Sequence, residues 1–207
     1  GTINNDPISQ RDINKVLELT QGIALPPDRD ILHTIPQEFI VDTLEKIDNP
    51  IGLSGRRLEG HVHLVTASTS GMENLIESAE ELGININGLV FKPLASAIPT
   101  LTKDEMKLGV SLIDIGSTTT SIAVFNEGAV RHSAVIPVGS SSITNDIAVM
   151  LRISIEEAEK IKIKYASAKA SLSSQKLEFE VPNSEDNQMI SENELSQYVE
   201  ARMEEIF

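Results

Sequence analysis

The run Val110-Ser-Leu-Ile-Asp114-Ile-Gly116-Ser-Thr-Thr-Thr-Ser-Ile-Ala-Val-Phe125 limits the folds open to this chain more than any other stretch. It reads as an apolar strand, a turn of small residues and a second apolar strand. Asn126-Glu-Gly128 is a hairpin turn, and Ala129 to Pro137 is a third strand with Val130, His132, Ala134 and Ile136 on one face. Three strands in succession without a crossover argue against a Rossmann unit, where a helix follows the phosphate loop at once. An acidic residue at a strand end, then glycine, then a row of hydroxyls, is not what a hydrophobic core requires. Gly116 can take a positive φ and bring the backbone close to a ligand, so the N–H groups from Gly116 to Thr119 are expected to form an anion nest. The hydroxyls of Ser117, Thr118 and Thr119 can donate to phosphate oxygens, and Asp114 is placed to hold a hydrated Mg²⁺. On their own, the same residues also make a plain hairpin with a Ser/Thr turn and a capping aspartate.

Composition narrows the classes. Lys and Arg number 17 against 31 Asp and Glu, a net charge of −14, and no stretch gathers enough positive charge to follow a phosphodiester backbone, so no nucleic-acid partner is expected. With 40% hydrophobic residues the chain can bury a core, and without cysteine it has neither a disulfide framework nor a thiolate metal site. No apolar run reaches the roughly 18 residues that a membrane span needs. Starting at Gly1 without methionine and ending at Phe207 inside a helical pattern, the chain reads as a fragment.

The remaining elements follow from caps and periodicity. Ser9-Gln-Arg-Asp12 opens a helix that runs to about Gln21, and Arg29 to Pro36 alternates as a strand continued by Phe39 to Val41. Leu58 to Thr66 is a second strand, with Leu58, Val62 and Leu64 on one face and His61 and His63 on the other. A helix follows Ser70 and ends at Gly83, Ile86 to Phe91 reads as a strand, Pro93 opens a short helix, and Thr102-Lys-Asp-Glu105 caps another that stops at Gly109. Beyond the hairpin, a helix is expected from about Asn145 to Leu151 and a second from Ser154 to about Ala166. Leu177 to Val181 is a strand, Pro182 to Gln188 a polar loop, and Ser191 caps a last amphipathic helix.

The order of these features resembles the second half of the actin and DnaK-like ATPase fold. Arg29-Asp-Ile-Leu-His-Thr-Ile-Pro-Gln-Glu-Phe39, Asn49-Pro-Ile-Gly-Leu-Ser-Gly-Arg-Arg57, His61-Val-His-Leu-Val65, Pro93-Leu-Ala-Ser-Ala97 and Ile143-Thr-Asn-Asp-Ile147 resemble the FtsA family of actin-like bacterial cell-division proteins, over almost the whole chain. The resemblance implies an α/β, actin-like (ribonuclease-H-like) fold, partial, with an inserted small α+β subdomain. It implies four segments: 1–60 in the inserted subdomain, 61–106 returning to the first actin-like half, 107–168 in the second half with its phosphate loop, and 169–207 opening the smaller subdomain that closes over the nucleotide. Asp114 matches the family's carboxylate near the metal, Gly116, Ser117, Thr118 and Thr119 its second phosphate loop, and Gly139 and Thr144 the floor of its cleft. Glu159 and Lys162 match the pair at the adenosine end. The family's usual Asp-Ile-Gly-Gly-Gly-Thr-Thr-Asp has Ser117, Thr118 and Ser121 here in place of two glycines and the last aspartate.

What the resemblance implies functionally is an ATP- and Mg²⁺-binding protein that polymerises and tethers FtsZ filaments to the cytoplasmic membrane at the division septum. Its implied partners are FtsZ, further copies of itself, other division proteins through the inserted subdomain, and the membrane through a C-terminal helix absent from this chain. Its implied place is cytoplasmic, peripheral on the inner membrane face, and its implied catalysis is at most slow ATP hydrolysis, with no catalytic residue nominated. The alternatives are a nucleotide-independent scaffold of the related pilus-assembly type and a small-molecule kinase or phosphohydrolase of the same superfamily. Read without the family, Glu159 and Lys162 are a solvated i, i+3 ion pair, and His61 and His63 are structural, because no third ligand is in sight.

Overall fold

The computed structural model describes residues 1–3, 7–182 and 188–207, so residues 183–187 of the expected polar loop lie outside the described residues. The chain divides into two compact units, the first made of Gly1–Asp114 and Ile122–Ala134, the second of Ile115–Ser121 and Val135–Phe207.

In the first unit, helix α1 (Gln10–Thr20) starts where Ser9 and Asp12 close a capping box. The Ser9 N–H and hydroxyl both donate to the Asp12 carboxylate, at 2.9 and 2.6 Å. The apolar face of α1 packs Ile13 and Val16 with Phe39, Val41 and Leu58 of a three-stranded antiparallel sheet in the order β2-β1-β3. The strands are β1 (Arg29–Val41), β2 (Leu44–Ile47) and β3 (Leu58–Ser68). β1 runs straight through Pro36, which has no N–H to give a ladder. The register slips between Pro36 and Glu38, which is where a strand accommodates a proline. Helix α2 (Thr69–Glu80) begins earlier than its sequence indicated, because Ser68 rather than Ser70 caps it and accepts from the Gly71 N–H.

Residues 86–91 do not form the expected strand. A strand needs a partner's ladder, and here the Phe91 N–H instead donates to His33 Nε2 at 2.9 Å. Helices α3 (Lys92–Thr100) and α4 (Lys103–Leu108) follow, α4 closing at Gly109 as expected. Ala97 of α3 is buried in one cluster with Ala123, Phe125 and Val130. The last three belong to the meander β4 (Val110–Ile115), β5 (Thr120–Asn126) and β6 (Ala129–Ile136), which pair in the order β4-β5-β6 as the sequence required. The residues of these strands are divided between the two units.

The second unit is built on α5 (Ser140–Leu151), α6 (Ile155–Tyr165), a short 3₁₀ turn (Ala170–Leu172), the hairpin β7 (Glu178–Glu180) and β8 (Met189–Ser191), and α7 (Glu192–Ile206). Ser154 and Ser191 cap their helices as expected. In β7, Glu178 and Glu180 are exposed while Phe179 enters the core, the alternation read from sequence. That core joins Ile143, Ile147 and Leu151 to Ala158 and Ile161, and both to Phe179, Leu195 and Val199. Tyr165 stacks on Phe179 with ring centroids 4.1 Å apart. Arg202 forks onto the Asp146 carboxylate at 2.6 and 3.0 Å, tying α7 to α5.

Candidate functional site

The site in the second unit starts from a backbone problem. The first amides of a helix have no partner within it, and serine in quantity argues for coil rather than helix. The sequence therefore suggests a start near Asn145, yet α5 begins at Ser140 because its first amides find acceptors outside the helix. The Ser140 N–H donates to the Gly116 carbonyl at 3.0 Å and the Ser141 N–H to the Ser117 carbonyl at 2.8 Å. The Ser141 hydroxyl adds a bond of 2.7 Å to the Ser117 carbonyl. Gly139 makes the close approach possible: a Cβ there would lie within 2.5 Å of the Gly116 carbonyl oxygen and nearer still to that of Ser117.

This stitching changes the expected nest. The Gly116 N–H is used inside the turn, donating to the Thr119 carbonyl at 2.9 Å, so it is not one of the free donors the sequence suggested. Thr120 and Ser121, next along the chain, are buried, and the Thr120 hydroxyl donates to the Val138 carbonyl at 2.8 Å. Ser117 and Thr118 remain exposed at the tip.

One helical turn beyond Ser140, Thr144 brings α5 to α6. Glu159 and Lys162, three apart, share a face of α6, and the burial of Ala158 and Ile161 beside Ile143 and Ile147 holds that face against α5. The Thr144 hydroxyl donates to Glu159 Oε2 at 2.5 Å and accepts from Lys162 Nζ at 2.8 Å. Lys162 and Glu159 meet directly at 2.7 Å. The ammonium also lies 3.4 Å from the Ser140 carbonyl. Lys162, foremost, and then Thr144 hold the Glu159 carboxyl below its ordinary value. These residues, with Ser117, Ser141 and the exposed Ile155, line a cavity of about 640 Å³. That volume suits a small-molecule ligand. The arrangement offers an ionised carboxylate, serine hydroxyls and an apolar side chain around one space, a set that fits a sugar hydroxyl, phosphate oxygens and a flat base.

Asp114 belongs to the first unit and is occupied there. Lys92 Nζ stands 2.6 Å from Oδ1 and the Ser96 hydroxyl donates to Oδ2 at 2.7 Å. The bond from Lys92, then that from Ser96, keeps the carboxyl below its ordinary range. Among the described residues no group of three or more His, Cys, Asp or Glu stands together to hold a metal ion. Both Asp114 oxygens thus face a donor in this structure, whereas Mg²⁺ is commonly held through its waters by an open carboxylate. Neither Lys92 nor Ser96 is among the candidate site residues that the sequence indicates. The available signal was a lysine in the first turn of a helix, the end that favours acidic residues.

The two strand histidines have ordinary partners. His61 Nδ1 lies 3.0 Å from Glu38 Oε1 and His63 Nε2 2.8 Å from Ser133 Oγ. Burial, with His132 nearby, pushes the His63 pKa down.

A family model described as "Cell division protein FtsA" matches residues 111–200, and one described as "SHS2 domain inserted in FTSA" matches residues 2–66. The chain belongs to the FtsA family. It is 41% identical to the cell division protein FtsA of Pseudomonas aeruginosa, covering 99% of this chain and 50% of that relative. Against FtsA of Escherichia coli K12 it is 36% identical, covering 87% of this chain and 43% of the relative. The chain thus spans about half the length of the FtsA proteins it matches. Among solved structures it superposes on MreB 5 of Spiroplasma citri bound to AMPPNP, with a TM-score of 0.52 and 20% identity over 68% of this chain and 45% of that one. It also superposes on the PilM-PilN type IV pilus biogenesis complex, with a TM-score of 0.54 and 17% identity over 80% of this chain and 46% of that one. Those two likenesses show a partial actin-like α/β fold, and the match over residues 2–66 adds the SHS2 subdomain that is inserted in FtsA.

Proposed function

We propose that this FtsA chain is the nucleotide-binding portion of an actin-like, ATP-binding cell-division protein that polymerises and tethers FtsZ filaments to the inner face of the cytoplasmic membrane at the septum. One observation carries the nucleotide assignment: the Thr144, Glu159 and Lys162 cluster shares a cavity with Ser117 and the start of α5. The Ser117 hydroxyl would donate to phosphate oxygens, with Thr118 and Thr119 completing the loop on the phosphate side. Gly116 and Gly139 keep that loop and α5 close together, and Glu159 would accept from a ribose hydroxyl. Lys162 holds Glu159 and Thr144 in place and is itself turned inward. Bound ATP would supply the phosphate charge that the loop donors answer. Magnesium would arrive on the nucleotide's own phosphate oxygens. The Spiroplasma MreB 5 that shares this fold is bound to AMPPNP, which supports the choice of ligand class.

Under the same reading, residues 1–60 are the inserted subdomain, which would meet other division proteins. Residues 61–106 return to the first actin-like half, 107–168 carry the phosphate loop, and 169–207 begin the closing subdomain. Among the described residues no helix is long and apolar enough to cross a membrane. The family resemblance assigns the tethering to a C-terminal helix. The test is electron microscopy of the full-length protein on a lipid monolayer, with and without Mg-ATP, for wild type and Glu159→Ala. Filaments that require ATP and Glu159 are the expected result. Membrane binding without filaments in any nucleotide state would overturn the polymer assignment in favour of a nucleotide-independent scaffold.

A further inference from the structure

The carboxylate that the strand-turn-strand pattern placed for a divalent cation already has a cation of its own. Lys92 Nζ is 2.6 Å from Asp114 Oδ1, and the Ser96 hydroxyl holds Oδ2 at 2.7 Å, so both oxygens are engaged from one helix. That helix is anchored, because Pro93 and Ala97 are buried and Ala97 sits in the cluster formed by Ala123, Phe125 and Val130. Lys92 is the first residue of α3, whose first turn carries no acidic residue. An ammonium at a helix N-terminus adds to the positive end of the helix dipole, an arrangement that needs a carboxylate opposite. Asp114, with its side chain 18% exposed, is that carboxylate.

We propose that Lys92 is the resident cation of Asp114, standing in for a divalent metal ion, and that Asp114 is not a metal site in this protein. Direct Coulomb repulsion supports this: a divalent ion near Oδ1 would compete with the Lys92 ammonium, whose side chain is 54% exposed, and would meet the positive end of α3. The carboxylate's task is then to hold the N-terminus of α3 to the end of β4.

The test uses full-length protein without nucleotide, so it does not depend on the proposed ATP site. Mn²⁺ binding is followed by electron paramagnetic resonance and by isothermal titration calorimetry for wild type, Asp114→Asn, Lys92→Met, Lys92→Arg and the double variant Lys92→Met/Asp114→Asn. Wild type, Asp114→Asn and Lys92→Arg are expected to bind Mn²⁺ equally weakly. Lys92→Met should bind roughly 10-fold or more tightly, since the repelling charge is gone, and the double variant should lose that gain. A wild-type Mn²⁺ site that Asp114→Asn removes would overturn the proposal, and so would a folded Lys92→Met that binds no better than wild type. Should Lys92→Met fail to fold, the comparison of wild type with Asp114→Asn still decides.

Discussion

Replacing Thr144 by valine removes one hydroxyl at almost constant volume from a side chain only 3% exposed. That hydroxyl donates to Glu159 at 2.5 Å and accepts from Lys162 at 2.8 Å. Hydrogen bonds to charged partners contribute about 1.5 to 3 kcal/mol each. Both are lost in the variant, but the loss is smaller than the sum. Lys162 and Glu159 remain 2.7 Å apart, and Glu159, with its side chain 43% exposed, regains water. Lys162, at 16% exposed, regains little and carries most of the cost. The net destabilisation is expected at about 1.5 to 3 kcal/mol. Urea unfolding of the full-length protein at neutral pH, followed by circular dichroism, measures it. Thr144→Ser, which keeps the hydroxyl, should cost less than valine, and Thr144→Val should also weaken binding of a fluorescent ATP analogue. A valine variant within about 0.5 kcal/mol of wild type, or a serine variant as unstable as the valine one, would show that the hydroxyl does not couple α5 to α6.

Three further outcomes follow from the same unit. Gly139→Ala drives a Cβ into two backbone carbonyls that also accept from Ser140 and Ser141, so neither can move away cheaply; a loss of about 3 kcal/mol or more is expected, and a urea midpoint unchanged from wild type would contradict the close approach. Phe179→Ala removes a 5% exposed ring stacked on Tyr165, which should cost about 3 to 5 kcal/mol by the same unfolding measurement; a cost under about 1 kcal/mol would place the ring outside the core. The pH dependence of Lys162→Met tests the ion pair. The Glu159 carboxyl is held below its ordinary 4.5 by Lys162, so its contribution is fully present above that value and fades as pH falls through the lower folded value. The stability gap between wild type and variant should be widest near neutrality and narrow below about pH 4.5, and a gap that stays constant into that range would remove Glu159 from the account.

Caps and alternation were legible in the sequence because they are local. Ser9 with Asp12, Thr102 with Glu105 and Ser154 with Glu157 each close within one turn, so residue type and spacing alone locate the helix. The meander β4-β5-β6 was legible for a related reason: its last turn is two residues, Glu127 and Gly128, both at positive φ, as a tight hairpin requires. What escaped depended on distant partners. The strand read over residues 86–91 has the right residues, but the Phe91 amide goes to a histidine on β1. The start of α5 escaped because a serine run favours coil over helix, and the carbonyls of Gly116 and Ser117 that accept from its first amides lie more than twenty residues earlier.

The candidate site divides along the same line. Glu159 and Lys162 share a helix face by spacing, so the pair could be read locally, yet spacing says nothing of which way the ammonium turns. Thr144, eighteen residues before Lys162, decides that by accepting from it. Asp114 is the sharper case. Strand, carboxylate and glycine turn together point to a cation, and a cation is there, but it is the ammonium of Lys92, twenty-two residues earlier, set in place by α3. Sequence pattern located the charge that needed an answer, and the packing of Ala97 with Ala123 and Phe125 determined which positive group would give it.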